Sequence, residues 1–174
     1  MCNELLELIK TRRSCRKYTN EPVSEADLTA VLEAGAYAPT AKGLQDPWIV
    51  AVQRDDLKAQ LTRMNAEVMG VSSNPYYDAP VYVLVFATDG GKNALQDGSC
   101  VLQNMMLAAH ALGLGTCWIN REQEMFATDE GRQLMRELGL PEGLMGIGAL
   151  SLGHPAGPLR PAKPRKEGYW RIVK

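Results

Sequence analysis

The chain has 174 residues, of which 45% are hydrophobic and 22% charged, with a formal net charge of −1 at pH 7. This composition is typical of a globular protein, and the length predicts a single domain over residues 1–174. A near-neutral chain argues against nucleic acid as the main partner, because phosphate-backbone binding needs a basic surface. No apolar run approaches the ~20 residues that cross a bilayer and no apolar signal segment opens the chain, so no membrane partner is expected.

Cysteine and histidine usage indicates a cytoplasmic protein without a metal site. The four cysteines form no C-x-x-C pair and no metal-ligand spacing, which is typical of reduced, mostly buried cysteines in the cytoplasm. The two histidines, His110 and His154, lie in no H-E-x-x-H or mixed Cys–His motif. A zinc site and a catalytic thiol with a histidine base are therefore disfavoured.

Capping residues, prolines and hydrophobic periodicity predict the elements of the first half. In chain order these are a helix from Asn3 to about Thr11, a helix capped by Ser24 and ended by Pro39, a short strand at 48–52, a helix opening at Asp55, and a loop or mobile flap at 70–80.

The second half predicts a buried sheet and an unusually apolar helix. In chain order we expect a strand at 81–87, a helix at about 95–112, a strand at 116–119, a helix at about 128–138 and a strand at 145–152. A helix that is apolar nearly all round belongs in the core, in a subunit interface, or in both. The Pro-rich tail after His154 cannot form its own core, so Trp170 and Ile172 are expected to anchor it across this domain or a partner. The resulting class is α+β, a central mixed sheet flanked by helices.

The turn Arg12-Arg13-Ser14-Cys15-Arg16 is the most informative stretch of the sequence. Arginine presents a fork of donors that matches phosphate geometry, so such a cluster is well suited to bind a phosphate. Lys163 and Arg165 form a second cationic pair near the other end of the chain. The two clusters suggest a chain that closes around one phosphorylated ligand, and the alternative is solvated surface charge.

Motifs over nearly the whole chain resemble, in the same order, those of the FMN-dependent nitroreductase family. The family's R-R-S-x-R-x-[FY] turn corresponds to residues 12–18, its A-x-x-A-P-[ST] helix end to 34–40 and its Q-P-W-like strand start to 45–48. A Q-N-x-x-L-A-A-x-x-L-G-L-G-[ST]-C-W-I unit corresponds to 103–119, an A-L-x-L-G-x-P strand to 149–155 and a K-x-R element to 163–165. Each motif is weak alone, but their order makes the resemblance specific.

The resemblance implies an intertwined homodimer with a C-terminal arm and two FMN sites, each lined by both subunits. It assigns the FMN phosphate to Arg12, Ser14, Lys163 and Arg165, and places Arg13 near the phosphate or the ribityl chain. An all-round apolar helix and an orphan tail are consistent with such a dimer.

The resemblance also implies the contacts of the flavin ring. Arg16 would reach the ribityl chain and the N1–C2 edge, where reduced flavin carries negative charge that a cation stabilises. The remaining expected contacts are Gln45 at the pyrimidine edge, Pro39, Thr40 and Ala41 from the other subunit, the loop Ile119-Asn120-Arg121 with a backbone N–H towards N5, and Asn65 as a further ring donor. The alternatives are that Arg16 pairs with Glu21 or Glu25 and that Gln45 caps a strand end.

The sequence departs from the family pattern where many members have N-x-Q-P-W. Here Gly43 replaces the asparagine and Asp46 is added before Pro47. The ring contacts in this region are therefore less well defined by the resemblance than the phosphate contacts.

The activity implied is that of an FMN-dependent NAD(P)H oxidoreductase with ping-pong kinetics. Hydride from NADH or NADPH would pass through flavin N5 to a small electron-poor acceptor of nitroaromatic or quinone type, without catalytic side chains, because the cofactor supplies the chemistry. Alternatives are another reduction on the same scaffold, such as enone reduction or dehalogenation, and a non-catalytic flavin or phospho-ligand binding protein. A phosphate-ester enzyme lacks a visible base, nucleophile or metal site.

Overall fold

The computed structural model describes residues 4–174, so Asn3, the expected cap of the first helix, lies outside the described residues. Its centre is a four-stranded sheet with the order β1-β2-β4-β3. The strands are β1 (Trp48–Val52), β2 (Val81–Thr88), β3 (Gly115–Ile119) and β4 (Leu144–Gly153). All three ladders are antiparallel. Each predicted strand is confirmed to within one or two residues at its ends.

The arginine turn makes one parallel pairing, which lies outside the antiparallel ladders of the four-stranded sheet. An isolated parallel bridge joins Ser14 to Thr116 of β3, and an antiparallel bridge joins Tyr18 to Pro155 just beyond β4. The expected α+β class is confirmed, with parallel pairing confined to this bridge rather than to a full strand.

Six α-helices flank the sheet within residues 4–174. They are α1 (Glu4–Thr11), α2 (Glu25–Ala36), α3 (Asp55–Met69), α4 (Ala94–Ala111), α5 (Glu122–Phe126) and α6 (Asp129–Glu137). Helix α5 was not predicted, because five residues are too few to show a helical period. In the described part of the chain, none of these helices is long and apolar enough to span a bilayer.

The start of α2 shows how local sequence sets an element boundary. Ser24 accepts a hydrogen bond from the Asp27 backbone N–H at 3.0 Å, as an N-cap residue does. Val23 and Leu28, which flank the cap, are both buried in the core, in positions suited to a hydrophobic staple. The predicted cap is therefore confirmed.

Strand β2 is the centre of the core, because it is covered on both faces. Its residues from Val81 to Ala87 are all buried, as their continuous apolar sequence predicts. One face, including Val83 and Val85, packs with α4, while the other packs with residues of α5 and α6. On that second face Phe86 meets Phe126 edge to face, with ring centroids 4.8 Å apart.

The C-terminal tail is exposed from residue 160 to residue 174. Trp170 is 75% exposed and Ile172 is 72% exposed, so neither anchors the tail across this domain. The expectation that Trp170 and Ile172 pack across their own domain is therefore wrong. Contact with a partner subunit stays a prediction.

Close packing between α4 and β4 generates a test of the fold. A Cβ at Gly98 would lie 2.7 Å from Cγ2 of Ile147. On an open helix surface, Gly→Ala stabilises by up to ~1 kcal/mol. We expect Gly98→Ala instead to lower the free energy of unfolding by about 1–3 kcal/mol, because the core is overpacked. Urea unfolding measures this.

The matched control is Gln96→Ala, an exposed position of the same helix. Its expected change is within about 0.5 kcal/mol. A stabilised Gly98→Ala protein would show that α4 and β4 are less closely packed than described.

Candidate active site

The arginine turn lies along β3, an edge strand of the sheet. The Cys15 backbone N–H donates to the Thr116 carbonyl at 2.8 Å, and the Thr19 N–H donates to the His154 carbonyl at 2.9 Å. These bonds fix the backbone on both sides of Arg16. The cationic side chains are therefore presented by rigid backbone rather than by a free loop.

Arg12 carries the most unusual feature of the turn. Its Nη1 is buried and has no hydrogen-bond partner among the described residues. Burial and, secondarily, the neighbouring Arg13 charge lower the pKa of the Arg12 guanidinium. Within residues 4–174, no described ion pair joins a carboxylate to Arg12, Arg13 or Arg16. Buried guanidinium donors without an anion indicate a binding site for one.

Arg12, Ser14 and Arg16 all influence the titration of the Cys117 thiol in β3. Burial raises the pKa of Cys117, while the Arg16 charge, a hydrogen bond from Ser14 and the Arg12 charge each act to lower it. The effect of burial is the larger one, so the pKa of the Cys117 thiol is raised and the thiol stays protonated. The structure thus brings together three of the residues expected at the phosphate and ribityl chain.

Arg16 is oriented by an aromatic side chain rather than by an acid. Its Nε donates to the Tyr77 hydroxyl at 3.3 Å, and its guanidinium carbon lies 5.8 Å from the Tyr77 ring centroid. The hydrogen bond to Tyr77 is the main reason that the pKa of Arg16 is raised. The alternative pairing with Glu21 or Glu25 does not form.

The segment that contains Pro39, Thr40, Ala41 and Gln45 is held in a defined turn. The Ala41 N–H donates to both oxygens of buried Asp97, at 3.1 and 3.0 Å, and the Gln45 N–H donates to Thr40 Oγ1 at 3.0 Å. Pro39 and the Gln45 side chain are exposed. Within one chain, no described hydrogen bond or ion pair joins this segment to the arginine turn.

Lys163 and Arg165 likewise stay apart from the turn in a single chain. Both are exposed, and the described hydrogen bonds and ion pairs include neither side chain. Their expected place beside Arg12 stays a prediction, one that needs the tail of a partner subunit or a rearranged tail.

Asp46, the residue added before Pro47, has a structural role. Its carboxylate accepts a hydrogen bond from the Thr88 backbone N–H at 3.0 Å and another from the Thr88 hydroxyl. These bonds connect the segment before β1 to the end of β2. This carboxylate is therefore engaged with the sheet.

A buried polar cluster lies behind the expected N5 loop. Asn65 is 0% exposed, and its Nδ2 donates to the Asn120 carbonyl at 2.9 Å. Glu122 is 1% exposed, and its Oε1 accepts from the Tyr76 hydroxyl at 3.0 Å. Asn65 therefore supports the loop from inside the protein, and its direct contact with a flavin ring stays a prediction.

The sequence analysis missed Tyr76 and Glu122 as members of this cluster. Glu122 opens a helix too short to be predicted, and Tyr76 lies in the irregular segment 70–80. Burial raises the pKa of Glu122 to about 8. The available signal was a glutamate immediately after the loop to which the backbone contact with N5 was assigned.

The expected N5 loop itself has an unusual backbone. Ile119 is buried at the end of β3, Asn120 is exposed, and Arg121 has a φ of 86°. A non-glycine residue in the left-handed region is uncommon and is frequently found at functional sites.

Comparison with known proteins decides the family. Residues 9–154 match the sequence model described as the Nitroreductase family. The chain belongs to the nitroreductase family. A similar nitroreductase-family protein, a putative NADH dehydrogenase/NAD(P)H nitroreductase of Archaeoglobus fulgidus, is 31% identical over 156 residues, which are 87% of this chain and 86% of that protein.

Solved nitroreductase structures share this fold over essentially their whole length. A nitroreductase with bound FMN from Bacteroides fragilis is 34% identical, with a TM-score of 0.91 and coverage of 99% of this chain and 100% of that one. Another with bound FMN, from Desulfitobacterium hafniense, is 26% identical, with a TM-score of 0.88 and the same coverages. The resemblance inferred from the ordered motifs is confirmed.

The raised pKa of Glu122 predicts a pH-dependent stability. Between the ordinary glutamate pKa of about 4.3 and a value of about 8, the folded state binds one more proton than the unfolded state. The free energy of unfolding should therefore fall as pH rises, by at most about 1.4 kcal/mol per pH unit. Glu122→Gln, which cannot ionise, should remove this slope.

Urea unfolding from about pH 5 to about pH 9 tests this expectation. Glu142→Gln, at an exposed position, is the control and should keep the wild-type slope. If Glu122→Gln also keeps it, Glu122 does not titrate in the way its burial implies.

Proposed function

We propose that the protein is an FMN-dependent NAD(P)H oxidoreductase. The observation that carries this proposal is the buried, unpartnered Nη1 of Arg12 in a turn of three arginines without carboxylate partners. A phosphate supplies the acceptors that such donors lack. The similar proteins described with bound FMN support FMN as the phosphorylated ligand, and those named NAD(P)H nitroreductase support the electron donor.

The phosphate would be held by Arg12 and Ser14 of the turn, with Arg13 nearby. Lys163 and Arg165 would complete this site from the tail. Because the tail is exposed on its own chain, this arrangement is most simply made in a homodimer whose arms cross. Exposed apolar side chains outside the tail support the same assembly, among them Leu5, Ile9, Trp48, Leu95 and Leu112.

When bound, FMN would supply the redox chemistry, accepting hydride from NADH or NADPH at N5 and passing electrons to an electron-poor acceptor of nitroaromatic or quinone type. Arg16, which Tyr77 orients, would place a positive charge where the reduced ring gains negative charge. Gln45 would bind the pyrimidine edge, and Pro39, Thr40 and Ala41 would border the ring from the other subunit. The peptide after Asn120 would offer its N–H to N5.

No side chain is required as acid, base or nucleophile for this reaction. The raised pKa of Cys117 keeps its thiol protonated below the arginines, so it contributes packing and not nucleophilic chemistry. The residues of the site would bind and orient FMN. Because NADH or NADPH and the acceptor would use the same face of the flavin in turn, ping-pong kinetics are expected.

An absorbance spectrum of the purified protein, taken before and after denaturation, tests the cofactor. Flavin bands with FMN released on unfolding, and oxidation of NADH or NADPH faster than by free FMN, are the expected results. Bound FMN without faster oxidation would instead identify a flavin-binding protein. A protein that stays colourless after incubation with FMN would refute the proposal.

Arg12→Ala should lose FMN and weaken the dimer. A charge-assisted hydrogen bond is worth about 1.5–3 kcal/mol, so the affinity for FMN should fall by about ten- to a hundredfold. Quenching of flavin fluorescence measures the affinity, and sedimentation measures the dimer.

Arg54→Ala is the matched control, because Arg54 is an exposed arginine already paired with Asp56. It should bind FMN like the wild type. An Arg12→Ala protein that purifies fully yellow would show that the phosphate is bound elsewhere.

A further inference from the structure

The peptide unit between Asn120 and Arg121 is held from one side. Its carbonyl accepts the hydrogen bond from buried Asn65 at 2.9 Å. The structure contains no cis peptide bond in its described residues, so the Arg121 N–H points away from that carbonyl. In residues 4–174 this N–H donates to no described acceptor. With its carbonyl turned inward, the peptide presents its N–H outward.

Asn65 is itself fixed by two buried groups. Its Nδ2 lies 3.4 Å from the Tyr76 hydroxyl and 3.4 Å from Oε1 of Glu122. The Tyr76 hydroxyl donates to the same Oε1 at 3.0 Å. Because Asn65 is buried, rotation of its amide would remove the donor of the Asn120 carbonyl and leave a buried Nδ2 without this acceptor.

Tyr76 is in turn fixed by its own segment. Its backbone N–H donates to Asn74 Oδ1 at 2.8 Å, and its ring stacks on Tyr82 with centroids 4.1 Å apart. The next two residues, Tyr77 and Asp78, have φ angles of 58° and 54°. Two successive left-handed non-glycine residues cost free energy, and such strain is typical of segments that position a site. Tyr77 is also the residue that orients Arg16.

We propose that Asn65, Tyr76 and Glu122 form a positioning group that holds the Asn120–Arg121 peptide from the interior and aims the Arg121 N–H at N5 of bound FMN. This inference rests on the proposed function. It assigns Asn65, Tyr76 and Glu122 to positioning, since they act through the peptide and need no contact with the cofactor.

Glu122 acts in this group as a neutral acceptor. The groups that influence its titration are the Tyr76 hydroxyl, its own backbone N–H and the Glu124 charge, and burial is the largest effect. No described cation pairs with Glu122. A glutamine at this position keeps an acceptor at Oε1 without charge, whereas a leucine removes the acceptor.

Carbonyl-carbon NMR of Asn120 tests the support of the peptide without any cofactor. Asn65→Leu removes the donor, and Tyr76→Phe removes only a hydroxyl, so the second variant is expected to fold. Both should shift the Asn120 resonance. Tyr82→Phe removes an equally buried hydroxyl of the same stack, bonded to Thr62 and Asn74 instead, and should leave the resonance unchanged.

Two measurements on the FMN-loaded protein test whether the Arg121 N–H is directed at N5 of FMN. FMN should shift the Arg121 amide resonance in the wild type, and less in Asn65→Leu and Tyr76→Phe. Loss of one hydrogen bond predicts an anaerobic reduction of bound FMN by NADH or NADPH that is about fivefold slower in these variants. Glu122→Gln should restore the rate that Glu122→Leu loses, while Tyr82→Phe keeps it.

The two proposals fail in different ways. A wild-type protein that binds no FMN refutes the proposed function before any variant is compared. A wild type that binds FMN and oxidises NADH or NADPH, with variants of unchanged rate and unchanged Arg121 amide response, refutes the positioning group alone. A uniform loss of stability and rate that Tyr82→Phe shares also refutes it, because the cluster would then serve only folding.

Discussion

The site depends on keeping uncompensated positive charge in a fixed place. Arg12 is partly buried and lacks an anion, which costs free energy that a flexible loop would avoid by turning the side chain into water. Backbone bonds from Cys15 to Thr116 and from Thr19 to His154 hold the main chain that follows Arg12 against the sheet. The sheet therefore holds the turn ready for an anion, and binding recovers the cost of its charge.

A second constraint is the buried polar cluster behind the Asn120–Arg121 peptide. Asn65, Tyr76 and Glu122 fill the space behind the Asn120–Arg121 peptide with hydrogen bonds rather than apolar packing. Hydrogen bonds fix orientation, whereas apolar contacts fix mainly distance. The segment around residue 76 serves both constraints, because its neighbour Tyr77 orients Arg16.

Most of the fold was predictable because its signals are local. The Ser24 cap and the apolar run of β2 each act within a few residues. The ordered motifs also predicted the family. Three features could not be read in this way. Helix α5 is too short to show a helical period. The hydrogen bond between Asn65 and Asn120 joins residues that are 55 positions apart in the chain. The tail with Lys163 and Arg165 is exposed on its own chain. All three depend on tertiary or quaternary contacts that hydrophobic pattern does not encode.

The position of the arginine turn along β3 has a consequence beyond ligand binding. An open edge strand exposes unpaired amide and carbonyl groups that can recruit a strand from another molecule. The bridge at Ser14 and the bond from Cys15 cover part of that edge. The arginine turn thereby also shields the sheet, so substitutions that detach its backbone would lead to aggregation.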